Sequence, residues 1–217
     1  MKNHIVVSVY NEDIKWVQYI NPHLYEVYIY NKGNPDTLNT HNVPCHINHL
    51  ANIGRESHTY LYHIIEHYDC LPDKIVFTQG NPFDHVRGSF IEEVNQLFNS
   101  DFHYFSKSVL TIKNSERKGI LEESGLLNGS MWINHHKYDC FQQVIEKVYK
   151  TFDTNCVHFE FGTGAIFGVN KQTIHQHSKH FYIQCINILK ESANIVNPSE
   201  GHMFERLWKY IFTRKSA

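Results

Sequence analysis

Between Lys74 and His85 the chain reads K-I-V-F-T-Q-G-N-P-F-D-H. Ile75, Val76, Phe77 and Thr78 are β-branched or aromatic, and so short a run bounded by turn residues predicts a buried strand. It stops abruptly at Gln79-Gly80-Asn81-Pro82, a turn rich in hydrogen-bonding side chains, and Asp84 and His85 follow at once. A buried strand that ends this way has the geometry of an open α/β sheet, where ligands bind beyond the carboxyl ends of the strands. A functional centre is expected at this edge.

The preceding residues repeat the pattern. Ile5 to Tyr10 predicts a strand, and Asn11-Glu12-Asp13 ends it and opens a short helix carrying Trp16 and Val17. Tyr25 to Tyr30 alternates as Y-E-V-Y-I-Y and closes at Asn31-Lys32-Gly33-Asn34-Pro35, a strong turn signal. Strand, helix and strand over about thirty residues suggest a parallel βαβ unit. A polar loop through Cys45 and His49 leads to a helix over Asn52 to Tyr68, with Tyr60, Leu61, Ile64 and Ile65 on one face and Glu66 opposite. Leu71-Pro72-Asp73 stops it ahead of Lys74, which makes a second crossover.

Further along, Ser89 to Phe98 predicts a short amphipathic helix. From Ser100 to Asn134 no period is clear, charges fall at Glu116, Arg117, Lys118, Glu122 and Glu123, and the stretch reads as mobile or insertion-like. Lys137 to Phe152 returns to helix, Val157 to Phe161 to strand, and Gly162-Thr163-Gly164 turns before the apolar run Ala165 to Val169. A long helix over Lys171 to Glu191 and a last one over Glu200 to Thr213 complete the chain, the latter with Met203, Phe204, Leu207, Trp208 and Ile211 on its apolar side. With no repeat, linker or low-complexity tail, one α/β domain spanning residues 1–217 is expected, its sheet mostly parallel and flanked by helices.

Composition narrows the function. The 217 residues are 41% hydrophobic and 14% aromatic, enough for a sizeable core. Twenty basic against 22 acidic residues leave a net charge of −2 with no basic stripe, which argues against nucleic acid as a partner. Five cysteines, Cys45, Cys70, Cys140, Cys156 and Cys185, lie far apart without a C-x-x-C pair, as free thiols in a reducing compartment would. The apolar run Ile5-Val6-Val7 is too brief for a signal peptide or a membrane span, so a cytoplasmic protein without a transmembrane segment is expected.

Several blocks carry a resemblance. V-S-V-Y-N-E-D, at the end of the first strand, resembles the opening of glycosyltransferases with the GT-A fold, a Rossmann-like architecture. Tyr30-Asn31-Lys32-Gly33 falls where such enzymes carry a second nucleotide-side loop, and Asn52-Ile53-Gly54-Arg55-Glu56 resembles a segment that approaches the donor diphosphate. Taken together, Asn52 to Ile65, Gln79 to His85, Gly164 to Val169 and Gly201 to Trp208 resemble a family of domains of unknown function related by pattern to those transferases. The likeness covers nearly the whole chain outside about residues 100 to 155. It implies transfer of a sugar from a nucleotide-sugar donor to a hydroxyl on a glycan, a protein or a small molecule. GT-A enzymes carry Asp-x-Asp at the donor turn to hold Mn²⁺ or Mg²⁺, whereas this chain has Gln79-Gly80-Asn81, which leaves Asp84 and His85 as the expected ligands of any such ion.

Glycosyl transfer needs charge neutralised on the leaving diphosphate, an acceptor hydroxyl held in line and, with inversion, a base. Tyr10, Asn11, Glu12 and Lys32 are expected on the nucleotide, Arg55 on the diphosphate, and Gln79, Asn81, Asp84 and His85 on the sugar. Gly164 and Ala165 fall to the acceptor edge, together with His202 and Arg206, which share a helix side with Glu205, the expected base; Asp84 is the second expected catalytic carboxylate. Each has a plainer explanation, such as a helix cap, a polar turn or an ion pair. A rival motif, His63-Ile64-Ile65-Glu66-His67, matches the inverted zincin spacing and would make a zinc hydrolase. Cys45, His46 and His49 could offer zinc three ligands without a fourth, and His135, His136, His175 and His177 read as solvated. A non-catalytic nucleotide-sugar-binding module is the third reading.

Overall fold

The computed structural model describes residues 1–86, 89–112, 120–127, 130–149 and 157–213. In chain order the strands are β1 (Asn3–Val9), β2 (Tyr25–Asn31), β3 (His46–His49), β4 (Lys74–Gln79), β5 (Phe102–Tyr104), β6 (Lys107–Ile112), β7 (Ile120–Leu127), β8 (Ser130–Lys137), β9 (Val157–Gly162) and β10 (Phe167–Asn170). The helices are α1 (Arg55–His67), α2 (Phe90–Gln96), α3 (Tyr138–Tyr149), α4 (Lys171–Ile174), α5 (Lys179–Lys190) and α6 (Ser199–Thr213).

A six-stranded sheet runs β3-β2-β1-β4-β10-β5. From β3 to β4 all neighbours are parallel, with Val6 opposite Tyr28 on one side and Phe77 on the other, whereas β10 pairs antiparallel with both β4 and β5. The sheet is therefore mixed α/β and mostly parallel, as expected. A second sheet, β8-β7-β6-β9, is antiparallel throughout.

Strand β1 shows why the large sheet is buried on both faces. Val6 joins a core with Tyr30, Ile75 and Phe77 under α1, α5 and α6, while Ile5 and Val7 point to the other face with Trp16, Phe90 and Val94. Period-2 alternation in a strand covered on both sides makes every position apolar, which is why V-V and I-V-F runs mark central strands. Phe159 and Phe161 of β9 enter the first of these cores, so the second sheet shares it.

The structure corrects the expectations in several places. The helix at Trp16 is a 3₁₀ segment, Lys15–Tyr19. The polar loop after Cys45 contains β3, an edge strand with exposed side chains at His46, Ile47 and His49 that gave no alternating signal. In the stretch assigned to an insertion, the described residues form β5 to β8, and Lys137 ends β8 rather than starting a helix. Glu116, Arg117, Lys118 and the end of the helix expected to Phe152 lie outside the described residues. The long helix from Lys171 is two helices: Ser178 caps α5 by accepting from Phe181 N at 3.3 Å, a cap signal hidden inside an apolar period. Among the described residues no helix is long and apolar enough to cross a membrane.

Candidate functional site

The parallel strands β2, β1 and β4 end side by side, and their exit turns wall an open cleft of about 260 Å³. Tyr10, Glu12, Lys32, Arg55 and Gln79, all singled out in the sequence, line it. Ser8, Asn52 and Glu56, given no role of their own in the sequence, line it too. Asn11 is exposed and not among the cleft lining, its side-chain oxygen 2.9 Å from where a Cβ on Gly33 would sit.

Each wall is locked from within. Glu12 turns its carboxylate back on its own loop, accepting from Tyr10 N at 2.6 Å and Asn11 N at 3.1 Å. Gly80 packs against the Glu12 side chain, and its carbonyl accepts from the Trp16 indole N–H at 2.7 Å, which ties the exit of β1 to the exit of β4. Gly33 lets β2's exit lie on the Tyr10 backbone.

The third wall is the start of α1. Gly54 (φ 65°) and Arg55 (φ 52°) both adopt left-handed backbone, and no side chain caps the helix. Lys32, 7% exposed, donates through its ammonium to the carbonyls of Ile53, at 2.7 Å, and Arg55, which fixes the chain as it enters the helix. Burial pushes its pKa down to about 7, against the opposing pull of Glu56. Arg55 donates through one terminal nitrogen to Asn197 Oδ1 at 3.0 Å and His202 Nε2 at 3.2 Å, so α6 and the loop before it hold it in place. Glu56 is buried beside it, 3.4 Å from Arg55 Nε, and burial raises its carboxyl above the usual range, with Arg55 opposing and Glu205 adding to the rise.

The turn beside Gln79 is built on Gly164 (φ 70°) and Ala165 (φ 56°), a second left-handed pair that is not among the cleft lining. A Cβ on Gly164 would lie 2.4 Å from the His85 ring and 2.8 Å from the Gln79 amide, so the glycine brings these groups together. Glu205 accepts from Gly164 N at 2.7 Å and from Arg206 at 2.9 Å, which commits both its oxygens to holding this turn. Arg206, one turn after His202 on α6, is turned inward: it is 7% exposed, donates to the His202 carbonyl and lies over the Phe161 ring. Asp84 and Asn81 are not among the cleft lining; Asp84 is exposed, and Asn81 accepts from Phe83 N at 3.3 Å.

The inverted zincin spacing meets a different environment. His63 is fully buried, with Nε2 bonded to His4 Nδ1 at 3.0 Å and Nδ1 to the Tyr30 hydroxyl at 2.9 Å. Neither ring nitrogen is left for a metal. Among the described residues no group of three or more His, Cys, Asp or Glu is placed to hold a metal ion, and this includes Cys45, His46 and His49. His177, expected at the surface, is 2% exposed and donates to the Ile211 carbonyl at 2.6 Å. His135 and His136 lie where side chains are not described.

No curated protein matches the chain. A family match does cover nearly its whole length: residues 5–217 fit the family described as "Protein of unknown function (DUF3431)", and the chain belongs to that family.

Proposed function

We propose that the protein transfers a sugar from a nucleotide-sugar donor to a hydroxyl acceptor, with a GT-A-like use of its large sheet. The observation that carries this reading is the convergence of Tyr10, Glu12, Lys32, Arg55 and Gln79, from separate turns, on one cleft at the carboxyl ends of three parallel strands. Such a cleft is where an open α/β sheet binds a ligand. Exposed Tyr10 offers a ring face to a base, and Arg55, with a terminal nitrogen that has no protein partner among the described residues, offers a guanidinium to a diphosphate. Gln79, His85 and the Gly164–Ala165 turn frame the side where sugar and acceptor would meet.

Asp84 and His85 supply one carboxylate and one imidazole, fewer oxygens than Mn²⁺ or Mg²⁺ takes, so a metal there would need the donor's phosphates to complete its shell. The test is a thermal-shift screen of UDP-, GDP- and ADP-sugars with and without Mn²⁺, followed by assay of nucleotide release. A donor at a hundredfold its Kd should add about 2.7 kcal/mol of stability. Binding with release and transfer supports the reading; binding without turnover makes the protein a nucleotide-sugar-binding module; no binding removes both.

A further inference from the structure

Glu56 is a buried carboxyl whose partners are local, the Arg55 guanidinium and its own backbone N–H. It lines the cleft with its side chain 10% exposed, and its nearest cation, Arg55 Nε at 3.4 Å, makes no hydrogen bond with it or with any other described group. One helical turn further on, the Tyr60 hydroxyl is fully buried and also without a partner. Glu205, the acid the sequence pointed to, differs on each count: it is absent from the cleft lining and both its oxygens are engaged, by Gly164 N–H and by Arg206.

We propose that Glu56 is the group that takes the acceptor's proton in this cleft, and that Glu205 is a positioning residue for the Gly164 turn. This rests on the glycosyl-transfer reading above. As the acceptor oxygen bonds to the anomeric carbon, its proton passes to the Glu56 carboxylate. The bond from that carbon to the phosphate oxygen breaks, and its electron pair leaves on the nucleoside diphosphate. When water is the acceptor, the same step is hydrolysis and balances in the same way.

The groups that face Glu56 set when it is ionised. Arg55 favours the carboxylate; Lys32, from the exit of β2, does so while protonated; burial and Glu205, from α6, favour the neutral acid. The Tyr60 hydroxyl, held protonated by burial and by both carboxylates, stays neutral. A base in this setting becomes competent only above the ordinary glutamate range. Turnover should therefore rise with pH through an ionisation that belongs to Glu56.

The experiment follows nucleoside diphosphate release from UDP-glucose, GDP-mannose and ADP-glucose against pH. Glu56→Gln should lower kcat about 100-fold or more and abolish the rising limb, while donor-induced thermal shifts persist. Glu56→Asp should keep the limb at a reduced rate, and Glu205→Gln should keep the limb but move it to lower pH, because the charge that favours the neutral acid is gone. A Glu56→Gln enzyme within about threefold of wild type, or a limb lost in Glu205→Gln, would overturn the assignment. If the wild-type protein releases nucleotide from none of these donors, the transferase reading fails for them. The proton is then read directly from ¹³C-carboxyl NMR of labelled glutamate: the resonance missing from Glu56→Gln should titrate above the others, and one that titrates among them overturns the proposal.

Discussion

Gly33 has no room for a methyl group: a Cβ there would stand 1.6 Å from the Tyr10 carbonyl oxygen. The obstacle is backbone, which cannot rotate aside, so Gly33→Ala should displace the turn that carries Tyr10 and Glu12. A loss of about 2 kcal/mol or more in urea unfolding is expected, together with loss of any nucleotide-sugar binding. His58 gives the opposite case. It is 5% exposed, its Nδ1 is buried without a partner, and burial pushes its pKa down to about 3. His58→Leu removes both an orphaned polar atom and a group that must not be protonated, so it should be neutral or stabilising at pH 7 and more stabilising at pH 5. At this scale the sequence was partly legible. Tyr10, Lys32 and Arg55 could be placed because strand ends and helix starts are local signals. Glu56 could not, because what distinguishes it from Glu12 or Glu66 is burial, a property of distant neighbours.

Among the elements, β1, β2 and α1 are joined by a hydrogen-bonded relay from His4 through His63 to Tyr30. His4 is pushed down to about 3 and His63 well below the ordinary imidazole range, in both cases first by burial and then by neighbouring histidines. The folded values lie below the unfolded ones, so their stability is fully present above about pH 6.5 and is lost as pH falls towards the folded values. Each such histidine approaches a cost of about 1.4 kcal/mol per pH unit below its unfolded value, so His4 and His58 together remove about 3 kcal/mol between pH 6.5 and 5, and His63 adds to the loss. Glu56, whose proton affinity is raised by folding, offsets only part of this. Urea unfolding should show a steep acid loss over this window, and His58→Leu should reduce its slope by about a third; a flat profile would mean that the histidines are not held neutral. The relay also explains which elements were legible. The central strands and α1 announce themselves because burial on two faces or one stripe leaves a period in the sequence. Edge strand β3, with its side chains in solvent, leaves none. The β6 to β8 strands carry apolar residues side by side rather than in alternation, so no period-2 pattern marked them, and Ser178 was masked because Ile174 and the apolar residues of α5 fit one helical period across the break.

Across the whole molecule, the question is whether the two sheets stand or fall together. Trp208 of α6 is fully buried, with ring centroids 5.6 Å from Phe167 of β10 and 6.0 Å from Tyr60 of α1, in the same cluster as Phe159 and Phe161 of β9. One helix thus packs against the large sheet and against the small one. Apolar burial is the main stabilising contribution to either, and neither has that core to itself. Trp208→Ala should cost about 3–5 kcal/mol, the range for a large aromatic removed from a packed interior. Because the core is shared, the loss should appear in both sheets by native-state hydrogen exchange: amides of β1 and β4 and those of β9 should lose protection by the same amount. Loss confined to β9 would make the small sheet a separately unfolding unit held by α6 alone. Equal loss would mean that the Gly164 turn, which leads from β9 to β10, is as firmly fixed as the parallel strands whose ends wall the cleft. The cleft then keeps its geometry through the stability of the entire fold, and ligand binding should weaken in parallel with global stability rather than ahead of it.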